Sequence, residues 1–183
     1  MEKNPSAKTC ERLFLVDAHA YLHRAYHALP PLTSPAGKPV GALYGFARML
    51  LSLTRREKPE LLVVCFDAPG PTFRHKLFER YKATRKPIDE ELKSQLALSN
   101  EMASAMGFAC AQLPGWEADD LIATLTRRGR ERGAEVVIVS GDKDALQLID
   151  GHVRVLNEAK GTMLDEAAVV AKFGVRPVQV EPV

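Results

Sequence analysis

Three carboxylates fall within four residues at Glu117-Ala118-Asp119-Asp120, directly after a Pro114-Gly115-Trp116 turn signal and directly before an apolar helical pattern. Carboxylates about 4 Å apart repel by roughly 4 kcal/mol per pair at an effective dielectric near 20, so such crowding calls for a metal, a base or a shared proton. More acids stand at comparable places. Asp17 closes the apolar run Leu13-Phe14-Leu15-Val16, Asp67 closes Leu61 to Phe66, and Asp142 and Asp144 follow Glu135 to Val139 through Ser140-Gly141. An all-oxygen set, with no histidine or cysteine at metal-ligand spacing, suits Mg²⁺ or Mn²⁺, hard ions that keep several waters and handle phosphates. Two such ions about 4 Å apart can activate a water and stabilise the leaving oxygen of an in-line displacement. Each acid alone reads equally well as a helix cap or loop carboxylate, but capping does not account for acids at four strand ends together. On a helix starting near Glu117, Glu117 and Asp120 share a face while Asp119 projects about 100° away from Asp120, so the three cannot serve one ion equally and one of them bridges two sites.

A second stretch changes charge sharply. Between Pro69 and Pro87, Arg74, Lys76, Arg80, Lys82, Arg85 and Lys86 face only Glu79, with Phe73, Phe78 and Tyr81 interleaved. Cations at that distance from Asp67 can hold the phosphates of a polyanion and the aromatics can stack on bases. The alternative is a solvated surface segment. His19, His23 and His27 recur every four residues and line one helix face, read here as a surface or partly packed face and not as a transition-metal site. Neither a Gly-x-Gly-x-x-Gly nor a Walker A string occurs, and an acid, not a glycine-rich loop, follows the first strand.

The elements that must position these residues alternate. Solid apolar runs at 13–16, 61–66, 108–112, 135–139 and 153–156 read as buried parallel strands. Between them lie helical patterns over 18–29, 41–57, 89–106 and 117–132, a short helix ending near Ile149, and a final helix from the N-cap Asp165 to Phe173. This order predicts an α/β three-layer sandwich with a central, mostly parallel sheet of about five strands, and ligands in such sheets bind at the carboxyl ends of the strands. The fold therefore gathers the acids on one rim. A chain of 183 residues, 46% hydrophobic, can bury one core. Residues 1–11 read as a disordered lead-in and 12–183 as a single domain. A net charge of +2 leaves any attraction to nucleic acid to a local patch. Cys10, Cys65 and Cys110, odd in number and widely spaced, point to reduced thiols in a cytoplasmic protein. No apolar run is long enough to span a bilayer, and the N-terminus has no signal-peptide pattern.

The ordered set Leu15-Val16-Asp17, Tyr21-Leu22, Arg24-Ala25, His27 to Leu32, Gly41-Ala42, Tyr44-Gly45, Phe66-Asp67-Ala68, Thr72-Phe73-Arg74, Tyr81-Lys82 with Arg85, Glu117 to Asp120 and Gly141 to Asp144 resembles the 5′-3′ exonuclease domain of bacterial DNA polymerase I. That family sits within the flap endonuclease, PIN-like superfamily. The resemblance implies a monomeric, Mg²⁺- or Mn²⁺-dependent phosphodiesterase acting on DNA with 5′ ends or flaps. By position it implies that Asp17, Asp67, Glu117 and Asp119 form a first metal site with Asp120 beside it. Asp142 and Asp144 then belong to a second, with Asp119 between the two. Lys82 and Arg85 fall near the scissile phosphate, and Arg24, Arg74, Lys76, Arg80, Tyr81 and Lys86 join them in DNA binding, within a basic helical arch at about 69–95. Two departures stand out. Ala18 and His19 occupy positions where the family usually has glycine and a small polar residue. The family also continues past Gly174-Val175 into further metal-site acids and a duplex-gripping helix-hairpin-helix element. The sequence is therefore expected to have an incomplete second site and to need a protein partner for duplex binding. Two activities follow as expectations: metal-dependent cleavage, or DNA-end binding without cleavage. A phosphatase of the haloacid dehalogenase type is disfavoured because position 19 is His where a second Asp would be needed.

Overall fold

The computed structural model describes residues 12–78, 80–83 and 87–180. The apolar runs become the parallel strands β1 (Arg12–Asp17), β2 (Leu61–Phe66), β3 (Ala109–Gln112), β4 (Glu135–Val139) and β5 (Val153–Asn157). The helices are α1 (Ala18–Ala28), α2 (Gly41–Glu57), α3 (Phe73–Leu77), α4 (Glu90–Ala105), α5 (Ala118–Glu131) and α6 (Glu166–Phe173), with short 3-10 turns at Asp144–Leu148, Glu158–Lys160 and Pro177–Gln179. The sheet has six strands, not about five. The extra one, β6 (Thr162–Leu164), pairs antiparallel with β5 at the edge. Three residues between Gly161, in the left-handed region at φ 60°, and the N-cap Asp165 are too few to show a period of two in sequence.

Strand order is β3-β2-β1-β4-β5-β6. The chain thus winds outward in both directions from β1, and the reversal between β1 and β4 opens a crevice at their carboxyl ends. Pairing places Asp17 beside Cys65 and Val16 beside Val139, so Asp17, Asp67 and Ser140 leave the sheet at nearly the same level.

Alternation along each strand divides the core in two. Phe14, Val16, Leu62, Val64, Phe66 and Val139 point to the layer formed by α1, α2 and α4. Leu13, Leu15, Cys65, Val136, Ile138 and Val155 point to the layer with α5 and α6. Burying such side chains contributes roughly 1.5–3 kcal/mol each, enough to fix the register against a one-residue slip that would reverse every face. Helix α1 crosses α2 closely at Gly45, where a Cβ would lie 2.7 Å from that of Ala25. No helix among the described residues is long and apolar enough to cross a membrane.

Candidate functional site

Asp17 ends β1 and caps α1: one oxygen accepts from the Ala20 amide at 3.1 Å and the other from the Ser140 hydroxyl at 2.9 Å. The second bond spans the crevice between β1 and β4. Ser140 also accepts the Asp142 amide at 3.0 Å, and Asp142 Oδ1 accepts the Asp144 amide at 3.0 Å, so one hydroxyl ties the β4 loop to the β1 acid. Burial raises the Asp17 pKa against these hydrogen bonds, which favour its ionised form; the carboxylate is 6% exposed.

Asp67, just past β2, fixes the start of α5. Its Oδ1 accepts the Ala118 amide at 2.6 Å, leaving Oδ2 turned toward His19, whose Nδ1 is 3.8 Å away. At the head of α5, Glu117 is 7% exposed and enclosed by cations and a phenol. Its Oε1 accepts from Lys82 Nζ at 2.7 Å, and its Oε2 accepts from the Tyr81 hydroxyl at 3.0 Å and Arg74 at 3.4 Å. Asp120 takes both guanidinium arms of Arg74, at 2.7 and 2.8 Å, and accepts the Glu117 amide at 3.0 Å. The Arg74 bond holds the Asp120 carboxyl below the usual carboxylate range.

The basic segment is docked on the acidic turn through its backbone and rings as well. The Phe73 amide donates to the Gly115 carbonyl at 2.9 Å, and the Phe73 and Trp116 rings lie 4.8 Å apart. Lys82 reaches the site from a left-handed backbone at φ 57°, unusual for a non-glycine residue.

Asp17, Asp67, Glu117, Asp119 and Asp142 line one cleft of about 310 Å³, with Lys82, His19 and His23 on its walls. Asp119 opens to solvent at the mouth, yet its pKa is pushed up to about 7. Partial desolvation contributes most, followed by repulsion from Asp17, Asp142, Asp67 and Glu117. The repulsion that adds to this desolvation shows that the acids around Asp119 are only partly neutralised, and their oxygen donors fit a hard divalent cation. Asp144 Oδ1 is buried with no hydrogen-bond partner among the described residues. Among those residues, no three His, Cys, Asp or Glu side chains converge enough to enclose an ion alone. An ion bound here would have to draw the rest of its shell from water and substrate oxygens.

Other residues singled out in sequence lie apart. Asp120 faces Arg74 instead of the cleft, and Arg24 lines a separate cavity between α1 and α2 with Tyr21 and Arg48. Lys76 and Arg80 are exposed, while Arg85 and Lys86 lie outside the described residues. Two features differ from expectation. His19 and His23 are partly packed, within the expected surface or partly packed face, but they also line the acid cleft, which was not expected of them. Ser140 emerges as the clasp of the site, and only its position before Gly141-Asp142 hinted at it. Cys65 is buried and its thiol is pushed up to about 12, which leaves it chemically quiet.

An acid-lined crevice at the carboxyl rim of a three-layer, mostly parallel sheet is the architecture of the PIN-like nuclease fold. The chain belongs to the family of 5′-3′ exonuclease N-terminal, resolvase-like domains, whose model matches residues 12–174. It is 46% identical over 165 residues to DNA polymerase I of Pseudomonas aeruginosa, covering 90% of this chain and 18% of that protein. It is 40% identical over 168 residues to the 5′-3′ exonuclease of Aquifex aeolicus, covering 92% of this chain and 58% of the relative. The chain thus spans between about a fifth and three fifths of these relatives' lengths. Among solved structures, the bacteriophage T5 5′-exonuclease with bound zinc ions superposes with a TM-score of 0.72 at 20% identity, over 90% of this chain and 62% of that one. A T5 flap endonuclease complex with DNA and metal ions superposes at 0.68 and 18% identity, over 92% and 63%. At these identities the likeness is one of fold.

Proposed function

We propose that this chain hydrolyses phosphodiester bonds at 5′ ends or 5′ flaps of DNA with Mg²⁺ or Mn²⁺ as cofactor. The observation that carries the reading is the convergence of Asp17, Asp67, Glu117, Asp119 and Asp142 on one cleft walled by Lys82, where partial desolvation first and the neighbouring acids second raise the Asp119 carboxyl pKa. When bound, a hard divalent ion supplies charge neutralisation at the phosphate and a water of lowered pKa.

The chain's own residues divide the remaining work. Asp17, Asp67, Glu117 and Asp119 would hold the first ion, and Asp142 and Asp144 would contribute to a second, with Asp119 between the two. Asp17 and Asp67 are pre-oriented by Ser140 and by the Ala118 amide. Lys82 pairs with Glu117 in the free protein and turns to the non-bridging oxygens of an incoming phosphate. Arg74 and Asp120 are positioning residues: their two-armed bond anchors the basic segment over the cleft. Lys76, Arg80 and Arg24 extend the phosphate contacts beyond it, and Tyr81 offers a ring for stacking.

Cleavage of a 5′-flap DNA in Mn²⁺ or Mg²⁺ is expected, with Asp67→Ala lowering the rate by more than about 100-fold, since outer-shell losses alone cost 10- to 100-fold at metal sites. Undiminished cleavage by Asp67→Ala would sink the reading. A second reading, DNA-end binding without cleavage, is favoured by the cations already closed on Glu117 and by the lack, among the described residues, of three converging ligands. It requires salt-sensitive DNA binding with no cleavage at any concentration of divalent ion.

A further inference from the structure

The histidine two residues after Asp17 stands where a metal donor would be useful. His19 lies in the first turn of α1 and lines the same cleft as the five acids. Its Nδ1 faces Asp67: it accepts a long contact of 3.4 Å from the Asp67 amide and stands 3.8 Å from Asp67 Oδ2. The 3.4 Å contact exceeds ordinary N–H hydrogen-bond length, so little is lost in giving it up. Asp67 Oδ1 is engaged by the Ala118 amide, which leaves Oδ2 as its donor. Two donors each about 2.1 Å from one octahedral ion are about 3.0 Å apart when cis and about 4.2 Å apart when trans. At 3.8 Å the Asp67–His19 pair is wider than the cis spacing, so the two donors must close by about 0.8 Å to share one ion.

We propose that His19 and Asp67 together hold a first-row divalent transition ion, giving the acid cleft of this chain one nitrogen donor and a preference for such ions over Mg²⁺. The inference rests on the metal-dependent reading above and adds the ion's identity class. Imidazole is a poor donor for Mg²⁺, which favours oxygen and water, and a better one for the borderline ions of the first row. Asp17, Asp119 and Asp142, which line the same cleft, would supply the negative charge that draws the ion in, with water completing its shell. The bond is a simple coordination by the unprotonated nitrogen, with no redox step. His23, one turn further along the same helix face, lines the cleft too, so the assignment must separate the two rings.

Pulsed electron paramagnetic resonance of Mn²⁺ added to the metal-free protein, paired with calorimetric titration by Mn²⁺ and by Mg²⁺, makes the test. Wild-type protein is expected to show ¹⁴N coupling to Mn²⁺. In His19→Gln the coupling disappears and Mn²⁺ affinity falls by about tenfold, while Mg²⁺ affinity changes by less than about twofold. His23→Gln retains the coupling. Stoichiometric Mn²⁺ binding without ¹⁴N coupling overturns the proposal and leaves the metal-dependent reading standing. Coupling that survives in His19→Gln and vanishes in His23→Gln overturns it as well. Binding of neither ion to wild-type protein removes both this proposal and the reading on which it rests.

Discussion

Asp119 and Asp120 are neighbours in sequence with opposite fates. Asp120 points along the face shared with Glu117 and is neutralised by Arg74, whereas Asp119 turns about 100° away into a wall of acids. Its pKa of about 7 against an ordinary 3.8 means the folded state favours the protonated form. The sign follows: the contribution to stability is fully present below about pH 4 and is lost as pH rises through about 7. In metal-free buffer, Asp119→Asn is therefore expected to melt at a higher temperature than wild type at pH 8, with the advantage vanishing near pH 4. Added divalent cation should narrow the gap at pH 8 by supplying the missing charge. Thermal unfolding across that range checks both; an advantage independent of pH would rule out like-charge repulsion as the cause. The run of acids announced the cluster from the sequence. The pairing of Asp120 with Arg74, across 46 residues, did not appear there because nothing local links the two.

Among the elements, α2 illustrates what periodicity shows and what it leaves out. Its limits at Gly41 and Glu57 follow from the apolar stripe and from Pro59. Its N-terminus has no capping side chain of its own. Gln95 of α4, 1% exposed, supplies the cap: its Oε1 accepts from the Ala42 amide at 2.8 Å and from Leu43 at 3.3 Å. Gln95→Ala strands these donors in the core and is expected to cost about 1–3 kcal/mol, read from urea unfolding. A loss near zero would mean that water replaces the cap. Helix α5 makes a related point. It sits tightly on β1 and β4 at Gly129, where a Cβ would be 3.0 Å from Leu13 and 3.1 Å from Val136. That close seat holds the α5 N-terminus, with Glu117 and Asp119, against the strand ends. The short α3 and the three-residue β6 escaped the sequence because one or two turns, or three residues, show no period.

At the scale of the molecule, folding gathers five acids into one cleft and leaves part of their repulsion uncompensated. A divalent ion that binds the folded chain alone should therefore stabilise it: at about ten times its dissociation constant the gain is about 1.4 kcal/mol. The melting temperature should rise with added Mg²⁺ or Mn²⁺ and not with monovalent salt at equal ionic strength. No such difference would argue against a specific site. The sequence by itself determined the alternation of strands and helices, and with it the parallel sheet and the rim where the acids had to meet. Apolar periodicity and chain reversals are local signals that survive without knowledge of contacts. Only the tertiary structure decided which acid is paired with a cation, which is left repelled, that Ser140 clasps Asp17, and that His19 turns toward Asp67. Those outcomes depend on side chains brought within about 4 Å from distant parts of the chain, where Coulomb energy and hydrogen bonding become strong enough to choose.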